Sequence, residues 1–324
     1  MNNYLIIGIV AGLCTALLNL SGYAGGMVGL GIILVVISPL PLMIASLGWG
    51  SFTGLIAVAS AGVTLAVILG PIAGLLFLIL NCIPPWWLAR LAALSRQNDG
   101  SETLEWYPTE RILGWIVGIA ALTSLAMFIP FGFSLEKYQD AIAALMKQIY
   151  EAQQGSLPGA ASLTLQDVVT IVSWLAPTAS AITVVYSSVL NLYLAGKITQ
   201  KSGHLSRPWP DLHQVRVPVT AVFLFTVSLG AFFLLDGLPG IIAQILTSSL
   251  GAALLLVGLS VLHFMTRSSP ARTFILWTAY LLLFFMQWIG VLLVILGAGD
   301  VLFNIRARMS AKPNRLPDNS DGQS

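Results

Sequence analysis

The sequence predicts an all-α, polytopic transmembrane helix bundle with eight or nine apolar segments, and three observations predict it. Of 324 residues, 57% are hydrophobic and 9% charged, against roughly 25% charged residues in a soluble domain. No Lys, Arg, Asp or Glu precedes Arg90, and the interiors of the later apolar segments lack them too. Basic residues gather in the links, as in the loop with Lys197, Lys201, Arg207 and Arg216 that follows a long apolar run. Lys and Arg collect on the cytoplasmic side, which places that loop inside and Trp174 toward the outer face. The net charge of +2 is spread over loops and tail, without the concentrated basic face that nucleic acid requires. Cys14 and Cys82 lie far apart within apolar segments and read as packing thiols, not as a disulfide or metal framework.

Taken in order, the N-terminus lacks a basic n-region and a small-residue cleavage site, so it reads as a retained first span. Leu13, before Cys14, is too large for a lipoprotein cleavage site. Gly8, Gly12 and Ala16 recur every four residues on one face of this span; such a face packs another helix of the chain or docks a partner helix. A glycine-rich connection leads to a second apolar stretch containing Ser38-Pro-Leu-Pro-Leu42. Two prolines at membrane depth remove backbone donors, and the resulting break either serves packing or marks a cavity. The third and fourth segments, Ser51 to Leu69 and Ile72 to about Leu91, join at Gly70-Pro71. Trp86, Trp87, Arg90 and Arg96 mark the far end of the fourth as an interfacial, cytoplasmic end, and four crossings then place the N-terminus inside.

A polar loop from Gln97 to Arg111 precedes a span from Ile112 to Ile129. Residues 134–153 alternate apolar and charged faces at helical spacing and form an amphipathic extracytoplasmic helix, lying in the interface or capping the bundle. The following QQGSLPGAAS is a flexible link. The segment opening near Trp174 carries Pro177 and Asn191. After the basic loop, one span runs to Asp236, and Ile241 to Phe264 and Phe274 to Gly297 are two further apolar stretches. Three full spans after that loop would put either Arg267 and Arg272 or the basic tail outside, so one late stretch is expected to be re-entrant or those two arginines external. Residues 1–299 form the integral membrane domain, and 300–324 a disordered cytoplasmic polar tail.

The blocks Trp174-Leu-Ala-Pro177, Leu190-Asn191-Leu-Tyr-Leu-Ala195 and Ser206-Arg207-Pro-Trp-Pro-Asp211, together with PPWWLARLAALSR and LGAGDVLFNIRAR, resemble the YybS-like family of uncharacterised bacterial multi-pass membrane proteins. That family is similar in turn to the S components of energy-coupling-factor transporters. The resemblance implies an S-component-like helical bundle with a cavity between helices, and partner subunits, an ATPase and a coupling subunit. It transfers no functional residue. S components dock their coupling subunit through an Ala-x-x-x-Ala face, where this chain has Gly8, Gly12 and Ala16.

Chemistry-bearing motifs are few. Gly297-Ala-Gly299-Asp300 matches the Gly-x-Gly-Asp string of intramembrane aspartyl proteases, but no second acid lies within a span to share a proton. Ser260 and His263 are three residues apart on one helix, poorly aimed at a shared substrate and without a supporting acid. No catalytic residue, metal ligand or cofactor is expected, and the chain reads as a non-enzyme. The amides and aromatics within the spans are the ligand-binding candidates: Asn19, Asn81, Trp174, Tyr186, Asn191 and Gln287. Buried amides are costly unless paired, so they are expected to face the bundle interior, bonding helix to helix or lining a pocket. With no intramembrane ionisable group, the sequence favours capture of a small organic solute over ion-coupled pumping. The alternative is a non-transporting scaffold in the bacterial inner membrane, with lipid and other membrane subunits as partners.

Overall fold

The computed structural model describes residues 3–24, 28–97, 104–152, 164–209, 215–286 and 288–310. Nearly all of them are helical. Seven helical stretches are long and apolar enough to cross a bilayer: Asn3–Gly22, Gly29–Trp49, Ser51–Leu69, Pro71–Ala92, Thr109–Phe131, Leu165–Lys201 and Gly237–Met265. Three shorter apolar helices add to them, so the expected all-α polytopic bundle is what the chain forms. It divides into two compact units, one built from residues 1–210 and 223–253 and the other from 211–222 and 254–324.

The first unit starts with α1 (Asn3–Ala24), followed by α2 (Val28–Ile37) and α3 (Leu40–Trp49). These last two share one span broken at Ser38-Pro39, as the prolines require. Next come α4 (Ser51–Leu69), α5 (Pro71–Phe77), a π-helical turn over Leu78–Cys82 and α6 (Ile83–Ala92). Gly50 and Gly70 each link two helices with a φ of 97°, a backbone value that favours glycine and lets one residue serve as the whole connection. The small-residue face of α1 lies against α4. A β-carbon on Gly8 would come 2.8 Å from Ile56 and from the Thr53 carbonyl, one on Gly12 would overlap the Ala57 carbonyl, and Ala16 is fully buried. Ser60 Oγ donates to the Ile9 carbonyl across the same contact (3.1 Å). The partner-helix reading of Gly8, Gly12 and Ala16 therefore gives way to packing within the chain.

The loop after α6 contains a small antiparallel pair, β1 (Ser95–Gln97) and β2 (Leu104–Trp106). Three-residue strands carry too little alternation to be read from sequence. The helix α7 (Thr109–Ala126) leads through a 3₁₀ turn (Ile129–Phe131) to α8 (Leu135–Ala152). The amphipathic α8 packs on the first unit through Tyr138. Tyr138 is buried among Phe128, Phe131, Ala181 and Ile245, with ring centroids 4.8 Å from Phe128 and 5.7 Å from Phe131. The QQGSLPGAAS link lies largely outside the described residues. The helix α9 (Leu165–Lys201) starts earlier than its apolar run suggests. Thr164 and Asp167 form a capping box, each side chain taking the other's backbone N–H, and this Thr-x-x-Asp signature is present in the sequence.

Two more helices, α10 (Val219–Leu234) and α11 (Gly237–Met265), contribute to both units. In the first unit they join through Thr247 Oγ1, which donates to Ser228 Oγ (3.1 Å). The second unit also holds α12 (Arg272–Phe285), α13 (Trp288–Phe303) and α14 (Ile305–Ser310). The stretch expected as one span from Phe274 to Gly297 is thus two helices, parted where Met286 leaves helical geometry at φ −124° and ψ 92°. At about 1.5 Å per residue each is shorter than the roughly 30 Å hydrocarbon core. Helical structure continues past 299, because α13 runs on to Phe303 and α14 follows it; 311–324 lie outside the described residues.

Enlarging Gly12 to Leu should lower stability by about 1–3 kcal/mol, the usual cost of overpacking. Thermal unfolding of purified protein in detergent checks this, and a Gly114→Leu control, where a β-carbon meets nothing within 4 Å, should leave the midpoint unchanged.

Candidate functional site

Proline cannot donate a backbone hydrogen bond, so each proline in a span leaves a carbonyl one turn earlier without its helical partner. In hydrocarbon that carbonyl must be satisfied from elsewhere. The first such place is the gap between α2 and α3. Ser38 supplies the Val35 carbonyl twice, from its backbone N–H (3.2 Å) and its hydroxyl (2.8 Å). Asn19 Nδ2, from α1, donates to Ser38 Oγ at 3.4 Å. The Val36 carbonyl receives Asn191 Nδ2 at 2.7 Å and Ser187 Oγ at 2.8 Å, both from α9. Asn191 Nδ2 also reaches the Ser187 carbonyl at 2.8 Å. Two of the candidate residues, Asn19 and Asn191, are therefore brought to one place by the Pro39 break. Asn191 Oδ1 and Thr15 Oγ1, one turn before Asn19 on α1, are buried and have no hydrogen-bond partner among the described residues.

The second place is Pro177 in α9. The Ser173 carbonyl, which that proline cannot serve, accepts the Tyr138 hydroxyl of α8 at 3.2 Å. Burial also pushes the Tyr138 hydroxyl above the usual phenol range, which keeps it protonated and able to donate. The neighbouring Trp174 carbonyl accepts Gln244 Nε2 at 2.7 Å, and the same amide reaches Thr178 Oγ1 at 2.9 Å. Gln244 is legible in the sequence as an intramembrane amide but not as the partner of the carbonyls beside Pro177. An amide 70 residues away along the chain gives no local sign of its partner; only helix packing sets it.

The remaining candidates lie apart. The Trp174 side chain is 56% exposed, so it is the carbonyl of this residue, not its ring, that is engaged in the interior. Tyr186 is half-buried on α9. Asn81 is exposed, within the π-helical turn, against the expectation that the intramembrane amides face inward. Gln287 lies outside the described residues. A groove of about 320 Å³ opens beside Phe303, Ile305, Arg308 and Met309, none of which is a candidate residue.

One end of the first unit is aromatic and basic. Tyr4 meets Phe52 with ring centroids 6.0 Å apart, and Trp49 meets His204 at 4.7 Å. These contacts bring the start of α1, the α3–α4 junction and the loop after α9 together. Arg90 lies over Trp86 and Trp87, 5.6 and 5.7 Å from their centroids. Arg207 donates to the Ala92 carbonyl at the end of α6 (3.0 Å) and sits 6.0 Å from the Trp106 ring. Its burial lowers its pKa below the usual guanidinium value, and the negative end of the α6 dipole favours its charge. A belt of this kind suits the headgroup region.

In the second unit the Gly-x-Gly-Asp string has a packing explanation. A β-carbon on Gly297 would overlap the Leu254 carbonyl, and one on Gly258 would overlap the Leu293 carbonyl, so the two glycines let α11 and α13 touch backbone to backbone. Asp300 forms a buried ion pair with Arg306 (2.7 Å) and also accepts the Arg306 backbone N–H at 2.9 Å. Arg306 further donates to Ser260 Oγ (3.1 Å) and to the Val215 carbonyl (2.9 Å). His263 engages the Leu259 carbonyl at 2.9 Å and the Tyr280 hydroxyl at 3.4 Å. Both motifs with a catalytic appearance are thus built into helix contacts. Among the described residues, no group of three or more His, Cys, Asp or Glu is placed to hold a metal ion.

These features define a multi-pass membrane protein whose intramembrane polar groups bridge its helices beside proline. The chain belongs to the family described as Predicted membrane protein (DUF2232), whose model matches residues 8–301. No curated protein and no solved structure matches it.

Replacing Tyr138 by Phe should cost about 0.5–1.5 kcal/mol, the net value of one hydrogen bond. In a Pro177→Ala background, where the alanine backbone N–H can donate to the Ser173 carbonyl, the same replacement should cost clearly less; thermal unfolding of the native chain and the three variants in detergent measures the difference. Asp300→Asn or Arg306→Met alone should each lower stability by about 3–5 kcal/mol, because one buried charge loses its partner. The double variant should recover much of that loss in the same assay.

Proposed function

We propose that this protein is a solute-binding subunit of S-component-like type in the bacterial plasma membrane, with its N-terminus and its aromatic, basic end facing the cytosol. It captures a small neutral or weakly charged organic molecule and relies on other chains for energy and coupling. The observation that carries this reading is the Pro39 break. There a discontinuous span, Asn19, Asn191 and two buried oxygens without partners, Asn191 Oδ1 and Thr15 Oγ1, stand within the first unit. Discontinuous helices with unpaired polar groups at membrane depth are where transporters hold their substrates. An amide oxygen that accepts and a hydroxyl that can accept or donate suit a ligand that brings a hydrogen-bond donor.

No Asp, Glu, Lys or Arg occurs between Met1 and Ala89, so the break has no local ionisable relay of the kind pumps carry. That favours passive capture and non-catalytic work. The scaffold alternative loses its main support, since α4 covers the small-residue face of α1.

Purification of the protein from native membranes in mild detergent tests the reading. An ATPase and a membrane coupling subunit should accompany it in fixed ratio, and a preparation without either would overturn the proposal. The orientation is tested by Ser202→Cys, which is exposed after α9. In a Cys14→Ser, Cys82→Ala chain it should resist a membrane-impermeant maleimide in intact spheroplasts and react once the membrane is permeabilised; labelling of intact spheroplasts would reverse the topology.

A further inference from the structure

Asn81 stands halfway along the span Pro71–Ala92. About ten residues, or roughly 15 Å, separate it from either end, half the thickness of the hydrocarbon core. It is exposed and makes no side-chain hydrogen bond with any described residue. By contrast Asn19, Asn191 and Gln244 are each bonded within the chain. Around it the surface is apolar: Ile72 is 75% exposed, Leu75 57%, Leu76 51% and Ile79 48%. Hydrocarbon offers an amide nothing, and headgroups are out of reach, so an uncovered Asn81 is unfavourable.

The position results from a specific backbone feature. At the α-helical advance of about 100° per residue, Asn81 would share a face with Gly74, Phe77, Pro85 and Leu88, all of them buried. The π-helical turn over Leu78–Cys82 holds more residues than an α turn, so its members lag around the axis. Cys82 takes the interior place, fully buried, and Asn81 is turned outward. Such single π turns are frequent at functional positions.

We infer that Asn81 is a contact between two copies of this chain within the bilayer. An amide carries both donors and an acceptor, so its full complement is another amide. A two-fold arrangement places Asn81 of one copy against Asn81 of the partner copy and satisfies both. Each copy supplies half of the contact, and the apolar residues around it supply close packing. Interhelical amide pairing of this kind associates helices in lipid, where hydrophobicity gives no preference for helix over lipid. The inference is independent of the solute reading.

The test uses the full chain reconstituted at high dilution in vesicles of phosphatidylcholine and phosphatidylglycerol, with copies counted by single-molecule photobleaching. The native chain should be dimeric, Asn81→Leu should weaken association at least tenfold, and Asn81→Gln should restore most of it. Asn81 has no internal bond to lose, so Asn81→Leu should keep the native unfolding midpoint when both chains are compared as monomers, diluted in detergent. Independently, Asn81→Cys in a Cys14→Ser, Cys82→Ala chain should give a disulfide-linked dimer on mild oxidation in membranes, while Leu122→Cys, exposed on α7, should not. A monomeric native chain, an Asn81→Leu variant that associates like the native chain, or crosslinking of Asn81→Cys only to a different polypeptide would each overturn the inference.

Discussion

A backbone carbonyl that loses its donor inside hydrocarbon has no water to turn to, and this constraint organises the first unit. Pro39 and Pro177 each create such carbonyls, and each set is answered by side chains from other helices. Ser38 and Asn19 work around Val35, and Ser187 and Asn191 around Val36. Tyr138 and Gln244 answer Ser173 and Trp174. The polar side chains of the spans are therefore mostly structural ties. They connect α1, α2, α8, α9 and α11 at points where apolar packing alone would allow the helices to slide. In lipid, where apolar surface gains little from leaving its surroundings, such ties and close small-residue contacts carry the specificity of helix pairing.

The same economy of polar groups explains what remains. Where the ties take both N–H groups of an amide, as with Gln244 Nε2, that nitrogen has no donor left for a ligand. At the Pro39 break the accounting is incomplete, because Asn191 donates from Nδ2 while Oδ1 has no partner. In the second unit the polar requirement is met by a buried ion pair, and Arg306 uses its guanidinium to hold Asp300, Ser260 and Val215 together. A buried ion pair is weak support for stability compared with apolar packing, but it strongly disfavours arrangements that would separate its members.

The two units differ in how their helices approach. The α1–α4 contact depends on Gly8, Gly12 and Ala16, and the α11–α13 contact on Gly258 and Gly297. The first triplet is visible as a four-residue repeat. The second pair is hidden within a string that looks catalytic, because Gly297 and Asp300 serve two separate contacts that happen to be adjacent in sequence.

By itself the sequence determined the membrane-embedded all-α class, the break at Pro39, the proline inside the long span at Pro177, the amphipathic helix after Phe131 and the segregation of basic residues, since each follows from local composition and from the missing proline donor. Only the tertiary structure decided which side chains answer the freed carbonyls, that the last apolar stretch is two helices, that Asp300 belongs to Arg306, and that Asn81 faces outward. Partner choice depends on helices brought together from distant parts of the chain. The outward turn of Asn81 depends on one extra residue in a helical turn, which shifts every later side chain without altering the apolar composition from which the span was read.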